Sequence, residues 1–191
     1  MCSSDLDGDL DAFVGERYGN TLYYRNTGSA TNPQFAAPTT NPFGLTNVGF
    51  YAKPTLVDID ADGDLDALVG NGDGNTLFYR NTGSATNLQF AAPSTNPFGL
   101  TDVGYHASPT FVDIDADGDL DALVGNRDGN TLFYRNVFPT LAIAATNASQ
   151  TEGNTGTKAF TFTVTRSGST SGSSSANWEV TGSGTNPANA A

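Results

Sequence analysis

The chain has 191 residues, of which 20 are acidic and 8 basic, so its formal net charge is −12. Nucleic acid and anionic membrane surfaces are disfavoured as partners because they carry the same sign of charge, and no apolar run reaches the roughly 18 residues that a transmembrane helix needs. The 22 glycines and 9 prolines, together with few strong helix formers, disfavour a helical bundle and favour a β fold.

The first six residues differ in pattern from the rest of the chain. Residues 1–6 resemble the translated end of a common sequencing-library adapter, and they break the pattern that the later part of the chain keeps. We therefore expect a non-native leader here. The segment contains Cys2, the single cysteine of the sequence, so no disulfide framework is predicted.

Three short clusters hold 14 of the 20 acidic residues. The second and third clusters, residues 58–66 and 113–121, are identical, with aspartate at every odd position and glycine at the sixth. Aspartates at positions 1, 3, 5 and 9, with position 7 acting through its backbone carbonyl, are typical of a loop that wraps oxygens around a hard divalent cation. The predicted metal ligands are Asp58, Asp60, Asp62, Asp64, Asp66, Asp113, Asp115, Asp117, Asp119 and Asp121, with Asp7, Asp9 and Asp11 in the shorter first cluster.

Calcium is the predicted ion. The clusters contain no histidine or cysteine, which disfavours zinc and copper, and many carboxylates in one flexible loop suit Ca²⁺ better than Mg²⁺. A helical EF-hand is not predicted, because Val69 and Val124 occupy the twelfth position within apolar, strand-like runs. In the first cluster Ser3 replaces the first aspartate, so that site lacks one carboxylate. The alternative, solvated acidic turns without an ion, leaves five repelling carboxylates without a counter-charge.

A period of 55 residues runs through the first two thirds of the chain. The acidic cluster recurs at this step, and so do residues 20–26, which return with few changes at 75–81 and 130–136. A fixed period near 50 residues indicates a repeat architecture.

Within one period we predict four short strands. They cover residues 55–59, 67–70 and 75–80, with a weaker fourth at 90–92. Four strands per repeat is typical of one propeller blade. The predicted fold class is all-β: a partial β-propeller of four-stranded blades with calcium loops, followed by a partial β-sandwich. With fewer than three blades, the ring is expected to be incomplete.

The residues around the acidic loop resemble the FG-GAP-like (VCBS) repeats. The resemblance rests on residues 54–57 before the loop, 68–70 after it and 78–83 beyond, and it covers about residues 7–136. It implies integrin-α-type β-propeller blades with calcium between the first two strands. The aromatic residues of the repeat are predicted to pack between blades rather than bind a ligand; they are Phe78, Tyr79, Phe90 and Phe98.

Composition changes after Asn136, and residues 137–191 are rich in Ala, Thr, Ser and Gly. Apolar and threonine residues alternate over 160–165, which predicts a half-buried strand, with shorter strands around 141–143 and 178–180. Residues 151–157 and 160–166 resemble the opening half of a Calx-β domain, a calcium-binding β-sandwich. The resemblance implies that Glu152 ligates calcium together with acids from the later half of such a domain. The alternative is a Ser/Thr/Gly linker with one β-prone stretch.

The sequence favours recognition over catalysis. His106 is the single histidine and stands where the preceding repeat has Tyr51, so no catalytic role recurs with it. Acidic clusters in every copy indicate a structural ion rather than one glycosidase-like active site. We expect a secreted or cell-surface calcium-binding module, not an enzyme, whose partner is an extracellular protein or glycan. The alternatives are an accessory region of a larger secreted enzyme and a bare structural spacer.

Overall fold

The computed structural model describes residues 2–5, 9–136, 140–146 and 161–167. The described residues form antiparallel β-sheets and one 3₁₀ turn at Pro42–Gly44, with no α-helix, so the all-β prediction is confirmed. No helix in this part of the chain is long and apolar enough to cross a membrane. The chain divides into two compact units, Met1–Asn136 and Val137–Ala191.

The first unit contains three antiparallel sheets in which strands adjacent in sequence are adjacent in space. The first sheet has the strands β1 Cys2–Asp5, β2 Leu10–Gly15, β3 Thr21–Tyr24 and β4 Thr39–Thr40. The second has β5 Lys53–Val57, β6 Asp66–Gly70, β7 Thr76–Tyr79 and β8 Ser94–Thr95. The third has β9 Ser108–Val112, β10 Asp121–Gly125 and β11 Thr131–Tyr134.

Consecutive sheets of this unit pack closely. The close approach is possible because the second strand of each of the first two sheets ends in a glycine. A Cβ atom added at Gly15 would clash with the carbonyl oxygen of Ala52, and one added at Gly70 would clash with that of Ala107. Each sheet therefore reaches the segment that leads into the next sheet.

That connecting segment is hydrogen-bonded on both sides. The N–H groups of Tyr51 and Ala52 donate to the carbonyls of Arg17 and Glu16 in the preceding repeat, at 2.9 and 3.1 Å. The carbonyl of Phe50 accepts from an N–H of the following repeat, at 2.6 Å. The connection is thus held by the hairpins of two repeats.

Apolar side chains from neighbouring sheets form the core. Phe13 and Tyr23 of the first sheet pack in one cluster with Val69 and Tyr79 of the second. The Tyr79 ring is fully buried, and its hydroxyl lies 2.8 Å from the Thr46 hydroxyl of the preceding connection. The packing prediction is confirmed for this residue.

The fourth strand differs from the sequence expectation. The predicted strand at 90–92 is wrong: the backbone N–H of Phe90 donates to the Phe43 carbonyl at 2.7 Å, and Phe90 forms only an isolated bridge with Asn81. The short edge strand β8, residues 94–95, takes its place. Phe90 is buried as predicted, whereas Phe98 is 63% exposed and contacts the Phe78 ring at 5.0 Å.

Residues of the expected leader have a place in the first sheet. Strand β1 pairs antiparallel with β2, with Cys2 opposite Phe13 and Asp5 opposite Leu10. The origin of residues 1–6 stays a prediction.

The second unit shows one antiparallel hairpin, β12 Thr140–Ala145 paired with β13 Phe162–Ser167. Strands are confirmed in both predicted regions, but the half-buried expectation is wrong for Phe162, which is 55% exposed. Among the described residues of this unit, the two paired strands have no second layer against which to bury an apolar face. The predicted strand at 178–180 and Glu152 lie outside the described residues, and the Calx-β resemblance stays a prediction.

Candidate metal centre

The two identical acidic clusters form the loops between the first and second strands of their sheets. Residues 58–65 join β5 to β6, and residues 113–120 join β9 to β10. Glycine at the sixth position has a positive φ in both loops, 94° at Gly63 and 95° at Gly118. A side chain rarely adopts this conformation, so the glycine permits the sharp turn that the spacing predicted.

In the second repeat the loop brings three carboxylates together. One oxygen from each of Asp58, Asp60 and Asp62 lies within 4.8 Å of the others. The two oxygens of Asp58 accept backbone N–H groups from Asp62 and Gly63 at 3.2 and 3.1 Å, which fixes the carboxylate in the loop. Each pair of charges at this separation repels by about 0.9 kcal/mol even at the dielectric constant of water.

Asp66, the first residue of β6, is a buried carboxylate directly after this loop. Its side chain is 1% exposed, and its Oδ1 accepts the Asn81 N–H at 2.7 Å. Its Oδ2 is buried and has no hydrogen-bond partner among the described residues. Burial raises the pKa of Asp66 to about 6; the Asn81 N–H opposes the rise, and the charges of Asp60 and Asp62 add to it.

An ionised oxygen in this position needs a partner, since leaving a buried charged acceptor unsatisfied is costly. A hard cation held by the loop would supply that partner and offset the repulsion between the carboxylates. The donor set of the second repeat therefore fits calcium.

Asp64 offers a side-chain oxygen in addition to the main-chain role predicted for it, which stays a prediction. Its N–H donates to Asp62 Oδ1 at 3.2 Å, but its own Oδ1 is buried without a hydrogen-bond partner within the described structure. Burial, followed by the charge of Asp62, raises its pKa. The side chain is thus a further candidate ligand. In the third repeat the Asp119 N–H donates to Asp117 Oδ1 at the same distance, 3.2 Å.

The third repeat has an equivalent triad. One oxygen from each of Asp113, Asp115 and Asp117 lies within 4.8 Å of the others. Asp113 Oδ2 accepts the Gly118 N–H at 3.2 Å, while its Oδ1 is buried and makes no hydrogen bond to any described residue. This loop also offers an unsatisfied anionic oxygen to a cation.

The buried aspartate at the start of the second strand has other partners in the third repeat. Asp121 Oδ1 accepts the Asn136 N–H at 2.8 Å, and its Oδ2 accepts the Ile114 N–H at 3.2 Å. The second and third sites therefore share their triads but differ at this carboxylate.

The sequence analysis missed an arginine beside each complete loop. The Arg80 guanidinium lies 3.1 Å from a carboxylate oxygen of Asp60 and 3.5 Å from one of Asp62. The equivalent ion pairs of the third repeat join Arg135 to Asp115 and Asp117. Recurrence of this arginine at the 55-residue step was a signal that could have revealed its role.

The first cluster is built differently. Asp5 pairs with Leu10, so four residues separate the first two strands, whereas eight separate them in the other two sheets. Asp7 lies outside the described residues, and Asp9 is partly exposed. No triad of this kind is found among the described residues of the first repeat.

Both oxygens of Asp11 are hydrogen-bonded within the protein. The Asn26 N–H donates to Oδ1 at 2.7 Å and the Tyr23 hydroxyl donates to Oδ2 at 2.9 Å. The later repeats have Phe78 and Phe133 in place of this tyrosine. In the first repeat the tyrosine hydroxyl therefore donates to Oδ2 of Asp11. The equivalent Oδ2 of Asp66 in the second repeat has no hydrogen-bond partner among the described residues.

His106 lies apart from the acidic loops. Its ring packs against Tyr51 with the centroids 4.3 Å apart, so the residues at this position of successive repeats stack on one another.

A profile of the family described as FG-GAP-like repeat matches the chain twice, over residues 5–69 and 58–124. Both matches include the acidic loop of the second repeat, and together they span more than half of the 191 residues. No curated protein and no solved structure gives a significant match to the chain.

Proposed function

Because the chain belongs to the FG-GAP-like repeat family, we propose that residues 7–136 form blades of a β-propeller that calcium stabilises, in an extracellular module for recognition or adhesion. Repeats of this family are often extracellular adhesion or recognition modules. The proposed partner is an extracellular protein or glycan, and the proposed role is non-catalytic.

The observation that carries calcium binding is the buried, unpartnered Oδ2 of Asp66 beside the triad of the second loop. Acidic loops on a protein surface are common without an ion, but a fully buried carboxylate oxygen with no hydrogen-bond donor is not. A bound calcium ion would be the partner of this oxygen.

The sheet order supports the propeller. Two sheets have four strands in simple up-and-down order, and the third repeats the first three of them. Short four-stranded antiparallel sheets joined in series are the units of a propeller. We extend the proposal to residues 137–191 as the start of a Calx-β-like sandwich, on the support of the β12–β13 hairpin.

The proposed location follows from calcium affinity. Calcium loops of extracellular modules bind with dissociation constants of about 10⁻⁴ to 10⁻³ M. Such loops fill where calcium is millimolar, outside the cell. At a tenfold excess over the dissociation constant, each ion adds about 1.4 kcal/mol to the free energy of unfolding.

Thermal unfolding of the full chain with calcium and with EDTA tests the proposal. We expect calcium to raise the melting temperature, and the double variant Asp60→Asn with Asp115→Asn to lose most of that response. The double variant Asp73→Asn with Asp128→Asn removes two exposed carboxylates outside the loops and is the matched charge control. A melting temperature that chelation leaves unchanged would refute the calcium sites.

A further inference from the structure

A cavity of about 570 Å³ opens in the first unit at the end of β2 and the beginnings of β5 and β9. The acidic loops leave the opposite ends of β5 and β9. The cavity and the metal loops thus lie at opposite ends of the same strands. Its volume is within the range of small-molecule sites.

The described cations differ in whether a carboxylate pairs with them. The arginines that form ion pairs are Arg80, Arg127 and Arg135. Arg25 and Arg166 also have interaction partners. Arg17 and Lys53 are the two cations whose side chains form no ion pair with any described residue, and both line the cavity.

The one acidic residue in the cavity wall does not cancel this charge. The Glu16 carboxylate accepts the backbone N–H and the side-chain amide of Asn20, at 3.1 and 2.6 Å, and so is engaged in its own turn. Burial acts to raise the pKa of Glu16, but the hydrogen bonds outweigh it and lower that pKa. The two cations and the ionised Glu16 leave the wall with an excess of one positive charge in a chain of net charge −12, which points to an anionic ligand.

Repulsion from the acidic loops does not prevent such binding. The five residues of β5 span roughly 16 Å at about 3.3 Å per residue. This separation is about twice the Debye length of roughly 8 Å at physiological ionic strength. The loop charges are therefore largely screened at the cavity.

The remaining polar side chains of the wall carry hydroxyls. Tyr51, Ser108 and Thr110 contribute them, and the Tyr51 ring is held in place by its stack on His106. Thr55 is not counted, because its hydroxyl already donates to the Pro109 carbonyl at 2.8 Å. Hydroxyls beside cations match a hydroxylated ring that carries a carboxylate better than an apolar peptide side chain.

We propose that this cavity binds a uronic-acid unit of an acidic polysaccharide, with Arg17 and Lys53 on the sugar carboxylate and the hydroxyls of Tyr51, Ser108 and Thr110 on the ring. This inference rests on the proposed recognition function and names its ligand class. It does not need calcium at the binding surface.

Calorimetric titration of the full chain in millimolar calcium tests the site, with trigalacturonate as the probe. Neutral galactotriose and a triglutamate peptide are the comparison ligands. We expect trigalacturonate alone to bind, and Arg17→Gln or Lys53→Gln to weaken it at least tenfold. Arg127→Gln removes an exposed cation outside the cavity and is expected to leave binding unchanged.

The inference would be overturned by no binding of trigalacturonate, by equal binding of the neutral sugar, by binding of the peptide instead, or by an equal loss in Arg127→Gln. The double variant Asp60→Asn with Asp115→Asn is expected to retain binding of trigalacturonate. If this variant lost binding, the uronate would instead bind to calcium in the acidic loops. A cooperative thermal unfolding transition confirms that each variant is folded, and the unsubstituted chain is also melted with calcium and with EDTA. The second comparison separates failure of this inference from failure of the calcium sites.

Discussion

The hydroxyl of Tyr23 suggests a substitution that would close the second metal site. Phe78 pairs with Leu68 across β6 and β7 in the register in which Tyr23 pairs with Phe13 across β2 and β3. In the variant Phe78→Tyr, the new hydroxyl is therefore expected to donate to Asp66 Oδ2, as the Tyr23 hydroxyl donates to Asp11.

The size of the effect follows from the strength of that hydrogen bond. A hydrogen bond to a charged group contributes about 1.5–3 kcal/mol, and calcium must displace it to use the oxygen. Since about 1.4 kcal/mol is a factor of ten, calcium affinity of the second site is expected to fall by about tenfold to 150-fold. Without calcium, the same hydrogen bond raises the free energy of unfolding.

Calorimetric titration with calcium measures the first effect, and urea unfolding in EDTA measures the second. The reverse substitution, Tyr23→Phe, is the matched control: it is expected to lower stability without weakening calcium at the two complete loops. If Phe78→Tyr gains stability in EDTA while calcium affinity stays unchanged, Asp66 Oδ2 is not a calcium ligand.

Two further predictions concern pH and packing. Because the folded pKa of Asp66 is raised to about 6, the folded state in EDTA holds this proton to higher pH than the unfolded state does. Raising the pH from about 3 to about 7 should therefore lower the free energy of unfolding by about 3 kcal/mol through this residue; urea unfolding of Asp66→Asn should show a flatter pH profile, and an unchanged profile would contradict the assignment. The variant Gly70→Ala should destabilise the fold by about 1–3 kcal/mol through overpacking, whereas Gly125→Ala, whose Cβ atom meets nothing closer than 3.8 Å, should be tolerated in the same assay.

Features that depend on residues close in sequence were predictable. Each acidic loop spans only eight consecutive residues. The spacing of its aspartates and glycine was therefore enough to indicate the triads and the glycine with positive φ. The second and third strands were also close to their predicted bounds, because their apolar runs are bounded by strong turn residues.

Features that depend on residues distant in the sequence were not predictable from it. The hydroxyl that satisfies the second oxygen of Asp11 belongs to Tyr23, 12 positions away across a strand pair, and Asp66 has no such donor within the described part of the chain. The fourth strand was misplaced because Phe90, which has high β-propensity, bonds to Phe43 of the preceding repeat instead of to its own sheet. The β-propensity of a residue does not reveal which segment its backbone will pair with.

The connection between the first two sheets is fastened to hairpins on both sides, through Tyr51 and Ala52 to one repeat and through Phe50 to the next. Cleavage of the backbone there would leave both halves anchored, whereas melting of either hairpin would release a stretch of its neighbour. Loss of structure in one hairpin therefore removes hydrogen bonds from the connection that it shares with the adjacent repeat.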